Sequence, residues 1–301
     1  MLLGFLALLI GQFFGNSIVP IGTKIASVFT GPLPFVLFRF VIGTLLLLLI
    51  FLPAKKKEIA KSEYNDFALL GFLLMINVVL FTIAIAYTNV IMSTLIFSLT
   101  PLFVGIGAHF LLDESFNKQK LLGLIISFIG LLFLLSQSLS GIQQHVFGQP
   151  LGNILIFFST IGYSFYIIHS RKVLYKKENL SVQTTFMTFA FTTLFILIVV
   201  LIALALGNVR VKPLPAAGIL GFFIVGICSA IQYLCLQIGI KKTDAFTASL
   251  FQYTGPFIAG AVSIPFLHEE INLQLLIGGF FILLGVFIAT TYEHLKKKTT
   301  R

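Results

Sequence analysis

Two stretches of sequence that lie 155 residues apart determine how this chain is organised. Residues 88–114 read TNVIMSTLIFSLTPLFVGIGAHFLLDE, and residues 243–269 read TDAFTASLFQYTGPFIAGAVSIPFLHE. Extended without gaps to residues 88–130 and 243–285, the alignment has 11 identical positions in 43, including one proline, three glycines and one glutamate. Leucine matches mean little in apolar sequence, but one register that aligns proline, glycine and glutamate indicates an internal repeat.

The chain around this repeat is strongly apolar. Of its 301 residues, 58% are hydrophobic and 10% are charged, and the mean hydropathy is +1.05. Soluble domains contain about 25% charged residues. The composition therefore excludes an ordinary soluble enzyme and predicts a polytopic helical membrane protein. Cys228 and Cys235 are interpreted as two buried thiols, because a seven-residue separation on one helix is too long for a disulfide.

Ten apolar stretches are close to the roughly 20 residues that a helix needs to cross a bilayer. The predicted spans are 2–23, 34–52, 67–87, 90–112, 119–138, 151–170, 183–206, 215–238, 244–267 and 272–292. Apolar sequence runs almost unbroken from Phe67 to Leu112, and as one helix this stretch would be about 69 Å long. A turn is therefore predicted at Thr88 and Asn89.

The odd number of spans in each half fixes how the halves are related. Because each has five spans, the second half enters the membrane from the opposite side. The predicted fold is an all-α integral membrane protein with ten transmembrane helices in two inverted five-helix repeats. The predicted boundaries are 1–138 for the first repeat, 139–150 for an extracytoplasmic linker, 151–292 for the second repeat and 293–301 for a basic cytoplasmic tail.

The lysines and arginines predict the orientation in the membrane. If both termini are cytoplasmic, 16 of the 20 Lys and Arg residues lie in cytoplasmic segments, and Lys24, Arg39, Arg210 and Lys212 do not. Cytoplasmic loops carry an excess of these residues. The net charge of +10 is thus attributed to topology and not to nucleic-acid binding. We expect a multi-pass protein of the inner (plasma) membrane with both termini in the cytoplasm.

The chain resembles the EamA-type members of the drug/metabolite transporter superfamily. The residues that carry the likeness are Ser98-Leu-Thr-Pro101, Leu112-Asp-Glu114, Tyr253-Thr-Gly-Pro256, Leu267-His-Glu269 and the second-span Arg39. One departure is His268, which stands where the first motif has Asp113. The resemblance implies a carrier with ten spans in two repeats and favours export. It does not name the substrate, because members carry amino acids, other metabolites and drugs.

Helical spacing predicts a matched pair of polar faces. Thr94, Ser98, Pro101 and Gly105 share one face of the fourth span, and the repeat places Ser249, Tyr253, Pro256 and Gly260 on the same face of the ninth. Each proline leaves a backbone carbonyl free, on Phe97 and on Gln252. The functional interpretation is a paired lining of a central cavity with hinges at Pro101 and Pro256. The alternative is close helix packing through small residues.

Polar side chains within the spans predict the binding site, because polar groups in hydrocarbon are costly and face the bundle or a cavity. Asn77 and Gln232 are equivalent in the repeat, and their amides both donate and accept hydrogen bonds. Arg39 can bind a carboxylate or phosphate, or alternatively extend to the membrane surface. The predicted substrate-binding residues are Asn16, Arg39, Asn77, Ser98, Tyr163, Gln232, Gln252 and Tyr253.

The function predicted from these features is a secondary carrier working by alternating access. It moves a small polar metabolite, with an amino acid as first choice and export as the direction. The alternative is uptake or exchange of a nucleotide-like metabolite such as an S-adenosyl compound. An intramembrane enzyme or a channel is disfavoured, because neither a metalloprotease or serine-hydrolase motif nor a filter sequence is present.

The expected partners are the lipid bilayer, a small-molecule substrate, and a coupling proton or exchanged substrate. No nucleotide-binding Gly-x-x-x-x-Gly-Lys-Ser/Thr motif occurs, and no cofactor or metal is expected. The ten acidic residues all lie at or beyond the ends of the predicted spans. This weakens a proton relay through carboxylates at mid-membrane. The coupling ion and the oligomeric state stay open.

Overall fold

A computed structural model describes residues 2–54, 58–112, 118–139, 144–176, 180–207 and 216–299. These residues form helices and connecting turns, with no strand among them. The helices are α1 (Leu2–Asn16), α2 (Ile18–Thr30), α3 (Pro32–Phe51), α4 (Glu63–Ala84), α5 (Val90–Phe97), α6 (Thr100–Leu112), α7 (Lys118–Leu139), α8 (Gln144–Phe147), α9 (Pro150–Arg171), α10 (Ser181–Ala205), α11 (Ala216–Lys242), α12 (Ala245–Leu250), α13 (Gly255–Leu267) and α14 (Leu273–Thr299). Asp113 and Glu114 of the first motif, and Arg210 and Lys212, lie outside the described residues.

The fold has ten transmembrane helices in two inverted five-helix repeats, as predicted. Eight helical stretches are long and apolar enough to cross a membrane, and α7 and α14 add shorter apolar stretches at 121–137 and 273–285. The first, fourth and ninth spans each consist of two helices, namely α1 with α2, α5 with α6, and α12 with α13. Residues 293–299, predicted as tail, continue α14.

The breaks in these three spans coincide with proline. Pro20, Pro101 and Pro256 each lie within the first three residues of the second helix of the pair. Because proline has no backbone N–H, it cannot continue the hydrogen-bond ladder of the helix before it. The prolines leave the carbonyl oxygens of Phe97 and Gln252 without a helical donor, but both accept other hydrogen bonds nearby. Thr100 Oγ1 donates to Phe97 O at 2.6 Å, and the Gly255 N–H donates to Gln252 O.

The turn predicted at Thr88 and Asn89 is present between α4 and α5. Asn89 starts α5 and does not end α4, because its Oδ1 accepts a hydrogen bond from the backbone N of Met92 at 2.7 Å. Asp244 occupies the equivalent position in the second repeat and caps α12 through Oδ1, which accepts from the N of Thr247 at 2.7 Å. The fourth and ninth spans therefore begin with the same type of capping hydrogen bond, at equivalent positions of the two repeats.

The last spans of the two repeats, α7 and α14, cross at their glycines. A Cβ atom added to Gly130 would lie 2.8 Å from the carbonyl oxygen of Gly278, and one added to Gly285 would lie 2.5 Å from that of Gly123. These contacts are equivalent, because Gly130 matches Gly285 and Gly123 matches Gly278 in the repeat. Because glycine has no side chain, the backbones of α7 and α14 can contact each other directly, as is common between membrane helices.

The other spans surround the centre of the molecule in matched pairs. The first span packs against α11 through α1, and α4 packs against α9. These pairs are equivalent, since a shift of 147 residues aligns Gly15 and Ser17 of the first span with Gly162 and Ser164 of α9. α3 and α10 contact each other and both flank α4 and α11. The breaks in the first, fourth and ninth spans therefore face a shared central space.

Candidate substrate-binding cavity

A cavity lies between the two repeats at the level of the broken spans. Its walls are formed by Gln12, Gly15, Asn16, Val19, Pro20, Arg39, Asn77, Val78, Phe81, Thr94, Phe97, Tyr163, Gln232, Tyr233 and Gln252. Six of the eight substrate-binding residues predicted from the sequence are among them: Asn16, Arg39, Asn77, Tyr163, Gln232 and Gln252. The structure therefore brings together residues from both repeats that are distant in the sequence.

The cavity is narrow in this conformation. Its free volume is about 50 Å³, which is enough for about four water molecules. Gln12, Asn16, Arg39, Asn77 and Gln252 are each at most 7% exposed, whereas Gln232 is half-buried, so most of the polar wall is buried. A metabolite larger than a few waters can bind only if the surrounding helices move apart.

Arg39 provides a positive charge in the cavity wall. Its residue is 2% exposed, its Nε donates to Ser229 Oγ at 2.6 Å, and its Cζ lies 5.6 Å from the centre of the Phe40 ring. It therefore does not extend to the membrane surface. Among the described residues, no carboxylate lies within ion-pair distance of Arg39. Because a buried charge without an anionic partner is costly, this guanidinium is suited to an anionic group of a substrate.

Asn77 and Gln232, the equivalent amides, have different environments. Asn77 Nδ2 donates to Ser159 Oγ at 2.9 Å, and its Oδ1 accepts from Tyr233 Oη at 3.3 Å. Asn77 of α4 is thus hydrogen-bonded to α9 and to α11. In contrast, Gln232 Oε1 is buried and has no hydrogen-bond partner in the described part of the chain. Gly15 leaves room for this side chain, because a Cβ there would lie 2.5 Å from Gln232 Nε2.

Tyrosines close the cavity towards the end of the bundle that holds Arg171 and Lys242, which we call the basic end. The rings of Tyr163 and Tyr166 lie 6.1 Å apart, and those of Tyr166 and Tyr233 lie 5.9 Å apart. Gln252 Nε2 donates to Tyr163 Oη at 3.2 Å on the cavity side of this layer. Beyond it, Gln237 Nε2 donates to Tyr166 Oη at 2.6 Å. The layer separates the cavity from the basic end.

Ser98 and Tyr253 lie outside the cavity wall. Ser98 is fully buried, and its Oγ donates to the carbonyl oxygen of Thr94 at 3.0 Å. Tyr253 packs against the apolar cluster that includes Leu275. The residues that precede them, Phe97 and Gln252, line the cavity instead.

Pro101 and Pro256, the predicted hinges, lie at the starts of α6 and α13 and do not line the cavity. Pro256 borders a separate apolar groove between α5, α13 and α14. Sequence reasoning missed Tyr233 and Phe97. The available signals were the position of Tyr233 next to Gln232 and the position of Phe97 four residues before Pro101.

A comparison with protein families matches the EamA-like transporter family model to residues 2–136 and 150–291. The chain is 25% identical over 269 residues to the uncharacterized transporter YyaM of Bacillus subtilis, covering 88% of this chain and 85% of that protein. An uncharacterized transporter of Clostridium kluyveri is 24% identical over 263 residues, covering 85% and 83% of the two chains. Another, from Archaeoglobus fulgidus, is 22% identical and covers 79% and 81%.

A solved crystal structure has the same fold. It superposes with a TM-score of 0.65 at 17% sequence identity and covers 97% of each chain. At this identity the likeness supports the fold alone. Within the described residues, no cluster of three His, Cys, Asp or Glu side chains could hold a metal ion.

Proposed function

The chain belongs to the EamA-like transporter family, and from this premise we propose that it is a secondary carrier that exports a small polar metabolite by alternating access. An amino acid is the first-choice substrate. Membership of the family makes the chain a multi-pass membrane transporter. The inverted repeats and the cavity between them support alternating access, because carriers of this kind bind substrate between their repeats.

The observation that carries the substrate proposal is that one cavity contains a buried cation without a carboxylate partner and an amide oxygen without a donor, both among the described residues. The Arg39 guanidinium has no carboxylate partner among the described residues, and Gln232 Oε1 has no donor there. An amino acid supplies both, because its carboxylate can bind the guanidinium in a bidentate manner and its ammonium can donate to the amide oxygen. Val78, Phe81 and Phe97 offer apolar contacts for a side chain.

The proposed location is the inner (plasma) membrane, with both termini in the cytoplasm. The basic end of the bundle, with Arg171, Lys241 and Lys242, then faces the cytoplasm, and residues 139–150 link the repeats on the other side. Arg171 Nη1 donates to the carbonyl oxygen of Ile240 at 2.9 Å, which fixes a positive charge at this end. The proposed repeats keep the boundaries 1–138 and 151–292, with 293–301 as the cytoplasmic tail.

Counterflow in proteoliposomes tests the function and the substrate class together. Vesicles are loaded in turn with unlabelled amino acids, nucleosides or S-adenosyl compounds, and a trace of the labelled compound is added outside. We expect transient accumulation of a labelled amino acid in amino-acid-loaded vesicles. Accumulation only with a nucleoside or an S-adenosyl compound would favour the nucleotide-like alternative. If folded protein accumulates nothing in any pool, the carrier proposal for these substrates is wrong.

The same vesicles test the source of energy. A pH gradient that drives net efflux without an exchange partner outside the vesicles indicates a coupled proton. Transport that requires a substrate on both sides indicates exchange. The matched control contains Arg39→Gln protein, which lacks the charge in the cavity and whose folding is checked by size-exclusion chromatography.

A further inference from the structure

Glu269 lies at the end of the bundle opposite to the basic end. We call this the linker end, because it includes α8 and the chain that leads into α9. The Glu269 side chain is only 4% exposed. The chain turns sharply before it, since His268 ends α13 in the left-handed conformation, with φ 52° and ψ 36°. The carboxylate is thereby directed back into the protein, and a buried carboxylate requires specific partners.

The partners of this carboxylate belong to the first repeat. Glu269 Oε1 accepts hydrogen bonds from the backbone N of Val90 at 2.7 Å and from Lys24 Nζ at 3.1 Å. Glu269 Oε2 accepts from the backbone N of Ile91 at 3.0 Å. Val90 and Ile91 are the first two residues of α5, where N–H groups lack partners within the helix and the helix dipole favours a negative charge. One side chain of the second repeat thus holds both α5 and the first span.

These contacts lie between the cavity and the linker end. Lys24 is one helical turn beyond Pro20 on α2, and Val90 is one turn before Thr94 on α5. Pro20 and Thr94 both line the cavity. The linker joins the same region, because Asn89 Nδ2 donates to the carbonyl oxygen of Val146 and the N of Gln149 donates to Tyr87 O at 2.7 Å. Opening the cavity towards the linker end requires α2 and α5 to move away from the residues that follow α13.

We propose that Glu269 is the residue that keeps the linker end of the transport path closed in this conformation, and that its contacts with α5 and Lys24 break whenever the cavity opens to that end. The proposal rests on the proposed function as an alternating-access carrier. Three hydrogen bonds to one carboxylate, two from a helix N-terminus and one from an ammonium group, stabilise the closed state. Glutamine at this position has one acceptor oxygen and places an NH2 group against the backbone donors, so the closed state becomes less stable.

The neighbouring Glu270 supplies a matched control. Its carboxylate lies 3.2 Å from His145 Nε2, but both side chains are exposed, at 68% and 62%. Exposed pairs of this kind contribute little because solvent screens them. Glu270→Gln therefore makes the same chemical change one residue away without affecting α5 or Lys24.

The experiment measures how fast a membrane-impermeant maleimide, added on the side of the linker, modifies a cysteine in the cavity. The reporter is Val19→Cys in a Cys228→Ala, Cys235→Ala background, because Val19 lines the cavity and is 3% exposed. We expect Glu269→Gln to raise the modification rate about tenfold, as for the loss of a charged hydrogen bond in the closed state. Glu270→Gln should leave the rate within about twofold of the parent. An unchanged rate in folded Glu269→Gln protein overturns the proposal.

A second variant keeps the test decisive if Glu269→Gln protein does not fold. Lys24→Gln replaces the ammonium donor with a shorter, uncharged amide and leaves α5 bound, so its modification rate should lie between those of the parent and Glu269→Gln. If the rate of Lys24→Gln is also that of the parent, the proposal fails. Monodispersity on size-exclusion chromatography reports folding for both variants.

Failure of the proposed orientation or substrate is detected separately. A His145→Cys reporter, at an exposed position of the linker, shows from which side of the cell membrane the maleimide reaches the linker end. The reagent is then applied from that side, whichever it is. Maleimide modification needs no substrate, so a wrong choice of substrate would be visible in counterflow but would not change these rates.

Discussion

The two repeats reach the cavity at equivalent positions but present different side chains there. Asn16, Asn77, Val78 and Phe97 of the first repeat line the cavity where Tyr163, Gln232, Tyr233 and Gln252 of the second do. The starts of the fourth and ninth spans, in contrast, are alike: Asn89 and Asp244 cap equivalent helices. The two repeats are therefore alike at the helix starts that must exchange conformations during transport. They differ in the side chains that must recognise one small molecule.

The largest effect is expected from breaking the symmetric contact of α7 with α14. Gly130→Leu and Gly285→Leu each insert a side chain where the first added carbon would lie 2.8 Å or 2.5 Å from a backbone carbonyl oxygen. Overpacking a core typically costs about 1–3 kcal/mol, and here the obstacle is backbone, which cannot rotate aside. We expect both variants to yield little monodisperse protein on size-exclusion chromatography.

Gly260→Ala is the control for this prediction. It lies in α13, and a Cβ there has no atom within 4 Å, so its yield and thermal midpoint should match those of the parent. Equal yields of Gly130→Leu, Gly285→Leu and Gly260→Ala protein would show that the glycine crossing does not join the halves.

The next largest effect is expected from Arg39, whose buried charge lies in the first repeat. Hydrogen bonds to charged groups contribute about 1.5–3 kcal/mol, so Arg39→Gln should lower counterflow at least about tenfold below saturation. The thermal midpoint should stay the same or rise, since the substitution removes a buried charge that has no carboxylate partner among the described residues.

Arg39→Lys refines this prediction. Lysine keeps the charge but cannot bind a carboxylate with two parallel N–H groups, so partial counterflow is expected. Parental counterflow in Arg39→Gln protein would remove Arg39 from the substrate site. A lowered midpoint together with lost counterflow would point to a structural role.

Smaller effects, which differ between the two residues, are expected for the equivalent amides Asn77 and Gln232. Gln232→Ala removes an acceptor oxygen that is unpaired within the described structure, so it should lower counterflow several-fold and leave the thermal midpoint unchanged. Asn77→Ala removes the side-chain donor to Ser159 Oγ and leaves Tyr233 Oη without its acceptor, while Ser159 Oγ still donates to the backbone oxygen of residue 77. Buried groups left unpaired cost about 1–3 kcal/mol, and we expect a lower midpoint as well. Identical behaviour of the two variants would contradict the asymmetry described for these positions.

The features that follow from composition and spacing could be predicted from the sequence. The span count, the inverted repeats and the equivalence of Asn77 with Gln232 all depend on apolar length or on a fixed register. Tyr233 was missed because, in a chain with 34 phenylalanines and 8 tyrosines, its position next to Gln232 does not distinguish it strongly from other aromatic residues. The contacts of Glu269 could not be predicted either, because its partners are far from it in the sequence and meet only in the folded bundle.

The placement of Ser98 shows a physical limit of periodicity. The prediction that Thr94 and Ser98 share one face assumes a continuous helix, in which residues four apart are neighbours. The fourth span is not continuous, since α5 ends at Phe97 and α6 begins at Thr100. Ser98 still follows Thr94 by one helical turn, but its Oγ donates to the carbonyl oxygen of Thr94 and its side chain is fully buried by neighbouring residues, so Thr94 and Phe97 line the cavity while Ser98 does not.

The smallest effect is therefore expected for Ser98 and Tyr253, which are equivalent in the two repeats and both lie outside the cavity wall. Ser98→Ala removes only a side-chain hydrogen bond to the carbonyl of Thr94, an oxygen that also accepts from the backbone N of Ser98 at 3.0 Å. Tyr253→Phe keeps the ring that packs on the apolar cluster near Leu275. Counterflow within about twofold of the parent is expected for both. A large loss in either one would mean that the face containing Ser98 and Tyr253 turns towards the substrate in another conformation, and that the symmetric pair takes part in binding after the helices move.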